Sequence, residues 1–255
     1  MNLDALFSLR GLTAVVTGGS SGIGRGIALA LAGAGASVVI VARDRARVDA
    51  TVAEIAAAGG LAAGIAGDLS TRDGIRAAAD AAAEPFGEPD ILVNSAGINL
   101  RPPFGEIDMD VWDTTMTVNL EAPFLLSQRF APGMVERGFG RLIHVSSQQA
   151  HRAFVTSGVY GVSKGGLESL TRSQAEAWSA NGVTANTLVP GFVLTPLNAR
   201  LQQDTEKVRQ LAERTMVGRN GVPEDFAGIA VFLAGRSSGY ITGQSLFVDG
   251  GLSVH

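Results

Sequence analysis

The chain has 255 residues, 46% of them apolar and 17% charged, with a formal net charge of −4 and no cysteine. That length suits one α/β domain built around one sheet, and the mix of apolar and charged residues excludes a disordered polymer. The negative charge argues against nucleic acid as the main partner, because phosphate binding leaves a basic footprint; the absence of cysteine excludes disulfides and thiolate metal sites and suits a reducing compartment.

The N-terminal stretch MNLDALFSLRGLTAVV carries Asp4 and Arg10 within its apolar part and makes a poor signal peptide. No apolar run reaches the roughly 18 residues that a membrane span needs, so no membrane partner is expected and the expected location is the cytoplasm. Short runs rich in valine and isoleucine then recur at 13–17 (TAVVT), 37–42 (SVVIVA), 90–94 (DILVN), 141–146 (RLIHVS), 183–189 (VTANTLV) and 245–249 (SLFVD), with LAAGIAGD at 61–68 as a weaker third strand. Between them lie Ala-rich stretches with helical spacing, such as RVDATVAEIAAAG and RDGIRAAADAAAEPFG, and two longer helices are expected over 110–137 and 157–180. Several strands are apolar at consecutive positions, which a parallel sheet covered on both faces requires. The expectation is a single-domain, doubly wound (Rossmann) α/β fold of about seven parallel strands with helices on both faces.

The first strand runs directly into GGSSGIGRG, which places Gly18, Gly22 and Gly24 in the spacing G-x-x-x-G-x-G ahead of a helix. Glycines let the backbone turn tightly and approach a diphosphate, and the helix N-terminus offers free N–H groups. The plainer alternative is a turn that only packs a helix on a strand. The second strand ends VIVARDRAR, with Arg43 directly after Ala42 and with Arg45 and Arg47 close by. An acidic residue at that strand end would accept from a ribose 2'-hydroxyl, whereas an arginine fork suits a 2'-phosphate. NADP is therefore favoured over NAD; Asp44 is the counter-argument, and solvation of the next helix is the alternative role for the arginines.

The stretch GVYGVSK sets Tyr160 and Lys164 four positions apart, on one face of a helix. A cation near a phenol lowers its pKa, and such a phenol can exchange protons near neutral pH. Ser147 lies thirteen positions earlier, at the carboxyl end of a predicted strand, where ligands of open α/β sheets sit. Asn119, in TVNLEAPF, falls on another predicted helix able to approach the same place.

Taken together, TGGSSGIG at 17–24, Asp68 in GDL, NSAG at 94–97, Asn119, Ser147, Tyr160, Lys164, PG at 190–191 and the terminal VDGG resemble the short-chain dehydrogenase/reductase family over nearly the whole chain. The resemblance implies hydride transfer between a nicotinamide and a carbon bearing oxygen, with Tyr160 as general acid or base. It also implies that Lys164 holds the nicotinamide ribose, that Ser147 bonds the substrate oxygen and that Asn119 positions a proton-relaying water. By the same resemblance Gly18, Ser20, Ser21, Gly22, Ile23 and Gly24 cradle the cofactor and Asp68 accepts from the adenine amino group. Leu69, Asn94, Ala96, Gly97, Pro190, Gly191, Val193 and Thr195 would line the rest of its site. The chain departs from the family's common NNAG at Ser95, and Ser21 stands where a basic residue would give a second 2'-phosphate contact, which leaves Arg43 to carry that role. A homotetramer is the family's usual assembly, formed through the two long helices.

INLRPPFGEI at 98–107, SSQQA at 146–150 and TMTVNL are similar to the branch of the family that contains gluconate 5-dehydrogenases and related sugar-acid and polyol dehydrogenases. Arg101 would lie near the crevice mouth, where it would pair a substrate carboxylate or simply pack its stem beside Pro102 and Pro103. Gln149, His151 and Arg152 are further substrate candidates, His144 is expected to pack inside a strand, and no histidine cluster suggests a metal site. The segment 192–219 reads as a helical lid, with Phe192, Leu197 and Met216 as apolar walls or as its own packing. The leading function is an oxidoreductase acting with NADP(H) on the carbonyl or secondary alcohol of a keto acid, sugar acid or polyol. The alternatives are a 3-oxoacyl-carrier-protein reductase and, from another class, a dinucleotide-sensing protein without turnover.

Overall fold

A computed structural model describes residues 6–255, so Asp4 of the N-terminal stretch lies outside the described residues. Seven strands form one parallel sheet: β1 (Thr13–Thr17), β2 (Ser37–Ala42), β3 (Leu61–Ala66), β4 (Ile91–Asn94), β5 (Gly140–Val145), β6 (Val183–Pro190) and β7 (Ser245–Val248). Their order across the sheet is β3-β2-β1-β4-β5-β6-β7. The chain moves outward from β1 in one direction and returns to start again at β4, so the switch point lies between the carboxyl ends of β1 and β4. A ligand crevice belongs there, and the glycine turn after β1 faces the NSAG segment after β4 across it.

The consecutive apolar positions have the expected cause. Ala14 and Val16 of β1 and Val38 and Ile40 of β2 join one core with α1 (Gly22–Gly33) and α2 (Arg45–Ala57). Val15, Val39 and Val41 point the other way, into a second core with α3 (Arg72–Ala83). A strand that alternates between two apolar cores has no polar face to spare.

The region expected as one helix over 110–137 is divided. It forms α4 (Met109–Met116), a π-helical turn (Thr117–Glu121) and α5 (Ala122–Glu136), with the Ala122 amide donating to the carbonyl of Thr117, five residues back. Helical spacing does not distinguish an i→i+5 turn from an i→i+4 one, and such turns gather at functional sites. This one contains Asn119. The second long helix, α6 (Gly158–Trp178), matches its expected bounds closely. Beyond β6 the segment is helical in short pieces, α7 (Ala199–Gln202) and α8 (Thr205–Glu213), before α9 (Ala227–Ala234) covers the first core. Among the described residues no helix is long and apolar enough to cross a membrane.

Candidate active site

The glycine turn is built for close approach. Gly18 has φ +67, and a Cβ there would meet the Ala96 amide nitrogen at 2.8 Å; a Cβ on Gly24 would meet the Gly18 carbonyl oxygen at 2.4 Å. Side chains at either place would drive β1, α1 and the NSAG segment apart. Thr17 fixes that segment from below, its hydroxyl accepting from the Ser95 and Ala96 amides at 3.2 Å each. From this turn a groove of about 200 Å3 runs over the carboxyl ends of the strands. Gly18, Ser20, Ser21, Arg43, Asp68, Leu69, Ala96 and Gly97 all line it. Ile23 packs against the first core instead, while Thr195, in the segment after β6, stands 3.2 Å from where a Cβ on Gly22 would lie.

A dinucleotide fits this groove on its own chemistry: bare backbone beside a helix N-terminus for a diphosphate, a cation at the β2 end and an acceptor at Asp68. Arg43 is exposed there and forms no ion pair among the described residues. Asp44 is already engaged, because it caps α2 by accepting from the Arg47 amide at 3.2 Å and pairs with the Arg47 guanidinium at 3.2 Å. Asp68 accepts from the amide and hydroxyl of Ser70 at 3.0 and 2.8 Å. Pro190 ends β6, and Gly191 passes so near the C-terminal turn that a Cβ would meet Asp249 Cα at 2.9 Å. Val193 buries its side chain in the core, and its carbonyl accepts from Asn198 at 2.6 Å.

Tyr160 and Lys164 do share one face of α6, with the Lys164 ammonium 5.7 Å from the centre of the phenol ring. That ammonium donates to the Val145 carbonyl at the end of β5, at 2.7 Å, which leaves two of its three donors for other acceptors. Burial pulls the Lys164 ammonium down from its ordinary 10.5 to about 8, so it still carries its charge at neutral pH. Burial also raises the Tyr160 phenol above its ordinary value of 10, and the neighbouring Ser147 hydroxyl and the charge of Arg101 act against that without cancelling it. The expected lowering by Lys164 is thus not the net result within the chain. A bound oxidised nicotinamide adds a positive charge that acts in the lowering direction.

Asn119 is fully buried and joins three elements. Its carbonyl oxygen accepts from the Ile98 amide at 2.9 Å, and its nitrogen donates to the Ile98 carbonyl at 2.9 Å and the Ser163 hydroxyl at 3.1 Å. The π turn therefore holds the segment after β4 against α6. A Cβ on Gly97 would lie 3.4 Å from the Asn119 oxygen and 3.7 Å from the Lys164 nitrogen, so all three residues border one small space. Behind them, Asn94 meets His144 Nδ1 at 3.1 Å, and His144 Nε2 meets Gln174 at 2.7 Å. Burial holds the His144 imidazole at about 4, in its neutral form, which agrees with a packing role.

The substrate candidates part company. Arg101 donates to the Thr156 hydroxyl at 3.2 Å and the Val155 carbonyl at 2.8 Å, and its charge reaches the Tyr160 phenol. Thr156 has φ +60, a strained conformation for a β-branched residue in the loop just before α6. Gln149 lies one turn from Ser147 and accepts from the Ser157 hydroxyl at 2.8 Å. Arg152 is drawn away to the C-terminal turn, where it donates to the Ser253 carbonyl at 2.6 Å. The groove lining also includes Val41, Gly67, Ile98 and Val118, to which the sequence attached no role; the first three stand at or after strand ends, and Val118 lies in the π turn beside Asn119.

A family model described as enoyl-(acyl carrier protein) reductase matches residues 18–253. Gluconate 5-dehydrogenase of Gluconobacter oxydans is 37% identical over 254 residues, covering 100% of this chain and 99% of that one. The chain is a short-chain dehydrogenase/reductase. A 2-dehydro-3-deoxy-D-gluconate 5-dehydrogenase of Pseudoalteromonas atlantica is 39% identical, covering 96% of this chain and 97% of its own. Among solved structures, a gluconate 5-dehydrogenase from Burkholderia cenocepacia, crystallised with NADP and tartrate, superposes with a TM-score of 0.93 at 36% identity and full coverage of both chains. This short-chain dehydrogenase/reductase is accordingly an NAD(P)-dependent oxidoreductase acting on CH–OH groups.

Proposed function

We propose that the protein transfers hydride between NADP(H) and a secondary alcohol or ketone of a sugar acid or polyol. The observation that carries this reading is that the Ser147 hydroxyl meets the Tyr160 phenol and Lys164 lies beside them next to Gly97, which lines the groove together with the glycine turn and Arg43, unpaired among the described residues. In this reading the diphosphate lies against Gly18, Ser20, Ser21 and Gly22, Arg43 takes the 2'-phosphate and Asp68 faces the adenine. The space bordered by Gly97, Asn119 and Lys164 takes the nicotinamide ribose and its waters.

The nicotinamide, when bound, donates or accepts the hydride. Tyr160 gives its proton to the substrate oxygen on reduction and takes it back on oxidation. Ser147 donates a hydrogen bond to that oxygen, and the Lys164 charge favours the phenolate that reduction leaves behind. Arg101, with the charge already felt at the phenol, pairs a substrate carboxylate, and Gln149 bonds a neighbouring hydroxyl. Tartrate in the Burkholderia cenocepacia relative, and the sugar acid named for the Gluconobacter oxydans enzyme, support an acidic polyol over a plain ketone.

The segment 192–219 serves as a lid, within a single catalytic domain. The protein works in the cytoplasm as a homotetramer, for which partly exposed Trp112, Phe124 and Val162 on α4, α5 and α6 offer apolar contact surface. The test is a panel of keto acids, ketoses, polyols, sugar acids, cyclic ketones and 3-oxoacyl esters, followed by nicotinamide absorbance with NADPH and NADH or their oxidised forms. Turnover of a sugar acid or polyol with NADP upholds the reading. Preference for 3-oxoacyl esters would replace it with acyl reduction, and tight dinucleotide binding with no turnover would favour a sensor.

A further inference from the structure

We propose that Glu168 is a positioning residue for the catalytic centre, its carboxylate fixing the segment that carries Ser147 against the helix that carries Tyr160 and Lys164. The inference rests on the reading that Ser147 and Tyr160 perform the chemistry. Glu168 follows Lys164 by four residues and Tyr160 by eight, so all three occupy one face of α6. It is the one buried acidic residue among the described residues. A buried carboxylate is costly unless its oxygens are matched by donors, and here three donors meet it. The Ser146 hydroxyl donates to Oε1 at 2.7 Å, the Ser245 hydroxyl donates to Oε2 at 2.8 Å, and His151 Nε2 lies 2.9 Å from Oε2 and 3.0 Å from Oε1.

The places those donors occupy give the carboxylate its consequence. Ser146 directly precedes Ser147, and Ser147 caps the single helical turn Gln148–Ala150, its Oγ accepting from the Gln149 amide at 3.2 Å. His151 follows that turn. Glu168 therefore grips the chain on both sides of Ser147, while Ser245 ties the same carboxylate to β7. Other tethers hold the segment as well: the Ser146 amide on the Leu188 carbonyl at 2.8 Å, Gln148 on Asp249 at 2.9 Å, and the Ser157 hydroxyl on Gln149 at 2.8 Å. With those intact, loss of the carboxylate lets the Ser147 hydroxyl drift from the phenol without unfolding the strand end. A small misplacement in such a site is enough to slow turnover by about a hundredfold.

The chain has two tyrosines, Tyr160 and the fully exposed Tyr240, so in a Tyr240→Phe background a 13Cζ-tyrosine NMR signal reports the Tyr160 phenol alone. Ser147→Ala sets the direction in which that signal moves when the serine is lost. Glu168→Leu is expected to move it the same way, with the dissociation constant for NADPH unchanged and turnover lowered about tenfold or more. Glu168→Gln, which keeps the shape and one carbonyl acceptor, is expected to restore most of the native signal. If the leucine form fails to fold, Ser146→Ala, which removes one donor to that carboxylate, serves as the test variant and is expected to move the signal in the Ser147→Ala direction. A folded Glu168→Leu protein with the native Tyr160 signal, or a Ser146→Ala protein native in signal and rate where the leucine form does not fold, would overturn the inference. If Tyr160→Phe retains turnover, the reading of the site fails instead, which keeps the two failures apart.

Discussion

Removal of the Arg43 guanidinium tests the cofactor assignment most sharply. Arg43 lies in the groove, exposed and without a carboxylate partner among the described residues, and the acid that follows it, Asp44, is occupied by the α2 cap and by Arg47. A charge-assisted hydrogen bond from a guanidinium is worth about 1.5–3 kcal/mol, and water in an open groove keeps Arg43 toward the lower end of that range. Arg43→Ala should therefore lower kcat/KM for NADPH about ten- to thirtyfold and leave NADH almost unchanged, because a ribose hydroxyl calls on no such charge. The loss should shrink as salt is raised. The assay is steady-state turnover with each reduced dinucleotide at two ionic strengths. Equal losses with both, or a preference for NADPH that survives the substitution, would refute the assignment of Arg43 to the 2'-phosphate.

Gly24→Ala should reduce dinucleotide affinity by about a hundredfold with the far-ultraviolet circular dichroism preserved, since its methyl would press the Gly18 carbonyl at 2.4 Å. Dinucleotide titration by fluorescence checks it. Lys164 binds its proton less tightly in the folded chain, at about 8 against an ordinary 10.5, so the unfolded chain holds more protons between those values and stability rises with pH across that window. Urea unfolding at pH 8 and pH 10 should show a gain of about 2 kcal/mol in the native protein relative to Lys164→Met. His144, at about 4 when folded, gives the acid counterpart: stability falls as pH drops from about 6.5 toward 4, and His144→Gln should flatten that loss in acid melts.

Much of this architecture was legible because the physics is local. Seven apolar runs became seven strands, their unbroken apolarity reflecting two cores, and the glycine spacing became a turn that no side chain fits. The Tyr160 and Lys164 pairing followed from helical period alone. What escaped the sequence depends on contacts between distant residues. The π turn around Asn119 is an extra residue in a helix whose spacing looks ordinary. Arg152 was a candidate for the cleft, yet its partner is a carbonyl 101 residues away. Asp44 was weighed as a ribose acceptor, while the structure gives it to the helix that begins one residue later. The balance at Tyr160 also needed the fold, because only burial in place could show that desolvation outweighs the nearby charges. Glu168 carried no motif, and its role rests on Ser146, His151 and Ser245 meeting it.

Tyr160 moves the proton while hydride is transferred, and a single-turnover comparison of native protein with Tyr160→Phe at saturating NADPH and the preferred ketone tests this at the chemical step itself. A native-like NADPH dissociation constant with the chemical step slowed about a hundred- to ten-thousandfold is the predicted result. A chemical step in Tyr160→Phe within a few-fold of native would contradict the account, and the acid would then have to be sought among the other groups that border the groove.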